Sequence, residues 1–245
     1  DYRSYRHDHQ QKELFGIAAN WNGIQVSGGE RDTITELVYG VKQQATARFI
    51  ARKLFRYFAH LNPPDATVNS LGNIFVAGGM EVAPLVRAIL LHDDFWGSSA
   101  RYGLVKSPVE FVTSLVRQSG LPANAMGLRW SMAPMGMTLF DPPSVAGWGQ
   151  GDYWLGTASA WGRGGFVRRQ RWRATSAGLL AGLADSNDDT NAANAIFDLF
   201  GLEGVSTTTR NAVERWHRRT YSESRWAAPP QGFLIGALCP EFQVY

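Results

Sequence analysis

The residues with the most evident chemical potential lie in a segment rich in Pro, Gly and Trp, residues 140–154. Asp141 and Asp152 stand near its two ends, and Trp148 and Trp154 accompany them. Indole rings offer flat apolar faces to sugar rings, and glycosidases use two carboxylates roughly 5–10 Å apart as acid and base. The segment therefore predicts a carbohydrate site, and the alternative is a rigid loop whose Trp side chains fill the core.

A second candidate is a row of basic residues within one predicted helix. Arg48, Arg52 and Arg56 recur every fourth residue and so share a helix face, with Lys53 beside them. Guanidinium groups in a row can hold a carboxylate, sulfate or phosphate. The alternative is a solvated face that forms ion pairs with a neighbouring helix.

A third candidate is the densest basic segment of the chain. Its arginines alternate with aromatic residues, a pattern that suits polyanions. The formal net charge of +3 is small and no nucleic-acid-binding module is present, so nucleic acid is not predicted. A contact with a partner or polyanion and a plain surface helix remain as alternatives. The basic residues are Arg163, Arg168, Arg169, Arg171 and Arg173, and the aromatic ones are Phe166 and Trp172.

The stretch from Lys106 to Glu110 combines a structural signal with a chemical one. Ser107 at the N-cap, Pro108 at the first helical position and Glu110 at the third form a capping box, which explains them through helix initiation. Lys106 has no such explanation and is a candidate ligand-binding residue. Glu110 is also a candidate acid or base, as is His7 within a larger site.

Neither a metal nor a cofactor is predicted. His7 has no HExxH motif or cysteine pair near it. Gly147, Gly149 and Gly151 do not form a dinucleotide loop, because no strand precedes them. Cys239 is the one cysteine, so no intramolecular disulfide can form.

The elements that must position these residues are mostly helices. Hydrophobic periodicity and cap signals predict one short strand pair, 15–18 with 23–26, near the N-terminus. No linker divides the chain, so we predict one helical domain over residues 1–245. The fold class is mainly α, a compact multi-helix domain with at most a small β element near the N-terminus. Helices are predicted over 45–61, 67–77, 82–91, 107–119, 157–181 with a break at 164–165, 189–200, 206–221 and 231–239.

The ends of the chain and its hydropathy bear on its origin. The sequence begins at Asp1 rather than Met, which favours a processed or truncated product. No apolar run approaches the roughly 20 residues that a membrane-spanning helix needs.

Several phrases, in their order, resemble one bacterial family, the domain of unknown function 1800 family. They are Ala47–Leu54 (ARFIARKL), Lys106–Phe111 (KSPVEF), Pro142–Trp148 (PPSVAGW) and Pro240–Gln243 (PEFQ). Members are usually about twice as long, so the resemblance implies the C-terminal half of a longer domain. It also implies an α-rich fold and a periplasmic or extracellular location, and it supplies no reaction.

The residues leave three functions open, and whether the protein is an enzyme is undecided. The leading hypothesis is an accessory or binding module for a partner protein, for a missing N-terminal half, or for an anionic or sugar-containing polymer. The second is a hydrolase or lyase acting on an extracellular polysaccharide through Glu110, Asp141, Asp152 or His7. The third is a structural subunit of an envelope assembly. Ligand binding would use Arg48, Arg52, Lys53, Arg56, Lys106, Trp148 and Trp154.

Overall fold

The computed structural model describes residues 10–19, 21–22, 31–123 and 127–245. They belong to two compact units, residues 1–101 and 102–245. The prediction of a mainly α fold with a small β element near the N-terminus is confirmed. None of the described helices is long and apolar enough to cross a bilayer. The single-domain prediction stays a prediction.

The β element of the first unit is a hairpin. Strand β1 (Lys12–Leu14) pairs antiparallel with β2 (Ile17–Ala19). Phe15 and Gly16 join them with φ of 58° and 78°, the left-handed pair that a tight hairpin turn requires. The predicted strand 15–18 was therefore wrong at its start, because Phe15 lies in the turn and the strand begins at Ile17. Its predicted partner strand, 23–26, lies outside the described residues. Two further short strands, β3 (Trp21–Asn22) and β4 (Arg31–Asp32), pair in parallel.

The helices of the first unit pack around α2 (Gln43–Phe58). Its buried stripe is Ala47, Ala51 and Phe55, one residue per turn. Tyr57 of the same helix lies outside this stripe and is 64% exposed. The small alanines allow α3 to approach closely, and a Cβ on Gly72 would lie 2.9 Å from Cγ of Arg48. The helices are α1 (Thr33–Val38), α2 (Gln43–Phe58), α3 (Asp65–Ala77), α4 (Val82–Leu90) and α5 (Asp93–Trp96).

The second unit is built around its last helix, which is apolar on nearly every face. Phe233 and Ala237 are fully buried there, within a core drawn from all the longer helices of the unit. The predicted break at Gly164–Gly165 is absent, because the helix runs without interruption from Thr157 to Ser176. The helices are α6 (Pro108–Ser119), α7 (Leu128–Ser131), α8 (Thr157–Ser176), α9 (Asp189–Leu199), α10 (Thr207–Ser224) and α11 (Ala228–Leu238).

Candidate functional site

The first turn of α6 is the capping box that the sequence predicts. The Ser107 hydroxyl accepts from the backbone N–H of Glu110 (3.4 Å), and the Glu110 carboxylate accepts from the backbone N–H of Ser107 (2.7 Å). The same carboxylate accepts from the hydroxyls of Ser107 (2.7 Å) and Tyr245 (2.8 Å). Both Glu110 oxygens are thus engaged, and its use as an acid or base stays a prediction.

Two of the signature phrases meet in space. The segment before α6 pairs with the C-terminal segment through an antiparallel bridge between Val105 and Val244. The backbone N–H of Lys106 donates to the carbonyl oxygen of Gln243 (2.8 Å), and that of Tyr245 donates to the carbonyl oxygen of Leu104 (3.0 Å). The KSPVEF and PEFQ phrases therefore form one structural unit.

Lys106 turns into this junction. Its ammonium donates to the carbonyl oxygen of Phe242 (2.8 Å) and lies 4.3 Å from the centroid of the Phe242 ring. Burial lowers the pKa of Lys106 to about 8, since the neighbouring thiol of Cys239 and the Glu110 carboxylate compensate only in part. The structure gives Lys106 an internal role, and its use in ligand binding stays a prediction.

Arg163 reaches the same junction from α8. Its guanidinium donates to Oε1 of Gln243 (2.7 Å) and to the carbonyl oxygen of Lys106 (2.5 Å), and it lies 4.9 Å from the Phe111 ring centroid. Its Nε is buried without a hydrogen-bond partner in the described part of the chain. Burial lowers the pKa of Arg163 to about 10. Sequence reasoning grouped Arg163 with the surface arginines, although its spacing from Phe166 and Gln170 places it on the buried face.

A pocket of about 270 Å³ opens beside this guanidinium. Trp154 forms part of its wall and is only 3% exposed. That burial agrees with the alternative in which the Trp side chains of the 140–154 segment fill the core. The lining residues are Trp154, Leu155, Ala160, Arg163, Leu238 and Gln243.

The outer face of α8 carries a larger cleft, of about 520 Å³. Trp161 stands over it with 83% of its surface exposed. Arg168 and Arg169 make no hydrogen bond or ion pair with any described residue. The cleft is lined by Thr157, Ala160, Trp161, Gly164, Gly165, Arg168 and Arg169.

The remaining residues of the 140–154 segment stay near the surface. Asp141 and Asp152 are exposed, and their side chains make no hydrogen bond or ion pair within residues 10–19, 21–22, 31–123 and 127–245. Trp148 is half-buried against the core. The proposed acid and base pair stays a prediction, and His7 lies outside the described residues.

The basic row of α2 surrounds a hollow of about 470 Å³. Arg52 forms an ion pair with Asp65 of α3 (2.6 Å), which is the neighbouring-helix pairing considered from the sequence. Arg48 lines the hollow and is exposed. Lys53 lies over the Phe49 ring (5.3 Å), and Nε of Arg56 is buried with no partner among the described residues.

One buried polar cluster was missed by sequence reasoning. His217 of α10 is fully buried, and its Nδ1 lies 2.9 Å from the Asp189 carboxylate. Arg218 donates to the other Asp189 oxygen (2.6 Å). Burial raises the pKa of Asp189, but the hydrogen bonds from His217 and Arg218 outweigh it, so the pKa is lowered. The cluster joins α9 to α10.

Within residues 10–19, 21–22, 31–123 and 127–245, no group of three or more His, Cys, Asp or Glu side chains is placed to hold a metal ion.

Comparison with known proteins gives a family and no reaction. The family model described as "Protein of unknown function (DUF1800)" matches residues 1–244, essentially the whole chain. No curated protein and no solved structure matches the chain. The expectation that the chain is the C-terminal half of a longer domain stays a prediction.

Proposed function

We propose that this chain, which belongs to the DUF1800 family of proteins of unknown function, is an extracytoplasmic binding module for an anionic polysaccharide. The observation that carries the proposal is the outer face of α8, where arginines without acidic partners stand beside exposed indole rings. The location outside the cytoplasm rests on the family resemblance.

The exposed side chains of α8 form a continuous stripe. Trp161, Arg168 and Trp172 are separated by seven and then four residues, so they lie on one face of the helix. Their positions span about 16 Å along the axis at 1.5 Å per residue. Gly164 and Gly165 lie between them and leave the helix backbone open as the floor of the cleft. The stripe is therefore long enough for several units of an extended chain.

The chemistry of the stripe suits a sugar that carries a carboxylate. An indole face at 83% exposure, as in Trp161, can stack on the C–H face of a pyranose ring. The guanidinium fork matches carboxylate geometry, and that of Arg169 folds over Gly165, 3.5 Å from the position of an added Cβ. A uronic-acid polymer offers both groups in each unit. Arg171, which lies 5.1 Å from the Trp172 ring centroid, extends the basic surface.

Acidic partners are present for two arginines of α10 and absent, among the described residues, for the two arginines at the cleft of α8. Arg218 and Arg219 of α10 have carboxylate partners, Asp189 and Glu223. Arg168 and Arg169 have none in the described part of the chain. An external anion can therefore bind them without displacing an internal one.

Binding to immobilised polygalacturonate tests the proposal, with neutral dextran and polyglutamate as reference polymers. We expect the affinity to fall between about 50 and about 200 mM salt, because salt screens the attraction between the guanidinium groups and the carboxylates of the polymer. The Arg168→Ala/Arg169→Ala double variant should lose roughly tenfold or more in affinity, since bonds to charged groups are removed. Trp161→Ala should lose at least about tenfold if the ring stacks on sugar.

Matched controls come from exposed residues of the same types elsewhere. Arg215→Ala/Arg219→Ala removes the same charge from α10, and Trp226→Ala removes another exposed indole. Both should bind as the unmodified chain does. Equal binding to polyglutamate would mean that charge alone is recognised and would favour an acidic protein partner. Equal losses in the control variants would contradict a site on α8.

A further inference from the structure

We propose that the pocket formed by Trp154, Arg163 and Leu238 binds a small carboxylate attached to a compact apolar body. The pocket would take a different ligand from the surface stripe on α8, because its volume of about 270 Å³ admits a ring or short chain rather than a polymer. It shares one wall residue, Ala160, with the cleft outside.

The junction beside the pocket contains buried cations. Arg163 is 3% exposed and Lys106 is 9% exposed, so two cations are held away from water. Glu110 is the carboxylate whose field reaches both, and its oxygens already accept from Ser107 and Tyr245. The Cys239 thiol does not supply the missing negative charge, because burial raises its pKa to about 11. The other buried carboxylate of the region, Glu241, accepts from the backbone N–H of Ser206 (3.1 Å), and neither Glu110 nor Glu241 forms an ion pair with Arg163 or Lys106 in the described part of the chain. An anion bound at Arg163 would give the guanidinium the ion pair that it lacks.

The guanidinium of Arg163 has more donors than the acceptors around it can satisfy. A guanidinium carries five N–H groups. The acceptors recorded for Arg163 are Oε1 of Gln243 and the carbonyl oxygen of Lys106, and Nε is buried without one among the described residues. A buried donor without an acceptor is costly. A carboxylate is the acceptor that best fits a guanidinium edge.

The walls of the pocket are largely apolar. Both the oxygen and the nitrogen of the Gln243 side-chain amide are hydrogen-bonded within the chain. Its Oε1 accepts from Arg163, and its Nε2 donates to the carbonyl oxygen of Ala237 (2.9 Å). The guanidinium is thus the polar group left to orient a ligand, and the other lining side chains are apolar, from Trp154, Leu155, Ala160 and Leu238. Leu155 is 56% exposed and marks the open side. An apolar pocket with one convergent charged group is the usual form of a small-ligand site.

Binding should also carry a proton signature. The charged and titratable groups around Lys106 are Glu110, Arg163 and Cys239, and burial sets its pKa at about 8. An anion bound at Arg163 adds negative potential and so raises that pKa. Near pH 8 the protein should therefore take up protons when the ligand binds.

Calorimetric titration with benzoate and its neutral isostere benzamide tests the proposal. We expect benzoate to bind at least about tenfold more tightly than benzamide, because only benzoate offers a charged acceptor. Heats measured at pH 8 in two buffers of different ionisation enthalpy should reveal proton uptake for benzoate alone. Leu155→Trp should block binding by filling the entrance. Leu91→Trp, which adds the same ring at an exposed leucine that does not line the pocket, should leave the affinity within about threefold.

Variants separate this pocket from the surface stripe and from folding defects. Arg163→Met should abolish the preference for benzoate, and circular dichroism reports whether the variant folds. If it does not fold, the comparison of Leu155→Trp with Leu91→Trp still tests the pocket. The Arg168→Ala/Arg169→Ala variant should bind benzoate normally. Equal affinity for benzoate and benzamide, or unchanged binding in Leu155→Trp, would overturn the proposal.

Discussion

The ammonium of Lys106 is a buried charge that the chain satisfies from its own C-terminal segment. The carbonyl oxygen of Phe242 accepts from it at 2.8 Å, and the Phe242 ring lies 4.3 Å away. A buried ammonium prefers to lose its proton. Its pKa of about 8 therefore makes the free energy of unfolding depend on pH in a range where few other groups titrate.

We expect stability to rise between about pH 8 and pH 9. The pKa of Lys106 is about 8 in the folded chain against its ordinary value of 10.5, so the unfolded chain binds more protons there and the free energy of unfolding increases with pH. Above pH 9 the opposite contribution of Cys239, raised from 9.0 to about 11, opposes the rise. Lys106→Met should remove the rise in urea denaturation at pH 7.5 to 9.

The exposed Lys53 supplies the control for this measurement. Lys53→Met removes the same charge from α2 without altering a buried site, so its pH profile should match that of the unmodified chain. If the free energy of unfolding of Lys106→Met still rose with pH in the same way, a group other than Lys106 would cause the rise.

The arginines of α8 show what sequence can and cannot predict at this scale. Helical spacing separates Arg163, in register with Phe166, from the exposed Arg168. The partner of Arg163, Gln243, is 80 residues away in sequence. Spacing can therefore predict that Arg163 is buried, but no local pattern predicts which acceptor it meets.

At the scale of elements, α11 occupies the centre of the second unit because it can be approached closely. Gly236 faces Phe200, and a Cβ there would lie 2.4 Å from ring atoms and 2.7 Å from Cγ2 of Ile196. The close approach depends on the missing side chain. Close packing, and not intrinsic helix propensity, therefore favours glycine at this position of the helix.

Gly236→Ala should destabilise the chain by about 1–3 kcal/mol, because overpacking exceeds the gain in helix propensity of about 1 kcal/mol. Gly164→Ala is the matched control, since its nearest neighbour, Cδ1 of Leu238, would be 4.0 Å away. That variant should be neutral or more stable by up to about 1 kcal/mol. Urea denaturation of both measures the difference, and equal stabilities would show that Phe200 moves aside freely.

Helix ends were predicted well where a cap determines them and less well where packing does. Ser107 and Gly120 bound α6 through a capping box and a left-handed residue (φ 63°), both readable from residue types. The break predicted at Gly164–Gly165 fails because the buried face of α8 continues on both sides of it. Gly162 lies against Pro134 and Met135, a contact between separate segments that propensity cannot reveal.

At the scale of the whole molecule, each unit has a core of its own. One cluster is drawn from residues between Ala47 and Ile89, and the other from residues between Phe111 and Phe242. The two clusters arise because different helices pack together, and these contacts join residues far apart in sequence. Hydrophobic periodicity along the chain predicts which face of a helix is buried, but it does not predict which helices share a cluster.

We expect residues 102–245, produced alone, to fold and to unfold cooperatively, because the second core is complete within them. A shorter fragment, 102–239, is the control, since it lacks Phe242 and the strand-like pairing at Val244. The shorter fragment should show no cooperative urea transition. If the 102–245 fragment also showed no cooperative urea transition, the second unit would depend on the first for its stability.

The pairing of residues 104–106 with 243–245 also sets an order of events during synthesis. A ribosome delivers the segment before α6 long before the segment that pairs with it, and Lys106 and Arg163 emerge before Phe242 and Gln243, the residues that later accept their hydrogen bonds. The nascent unit must therefore carry two unmatched cations and an open core until residues 242–245 have emerged. Until then its apolar surface stays exposed, and a chaperone that shields such surface would bind this state.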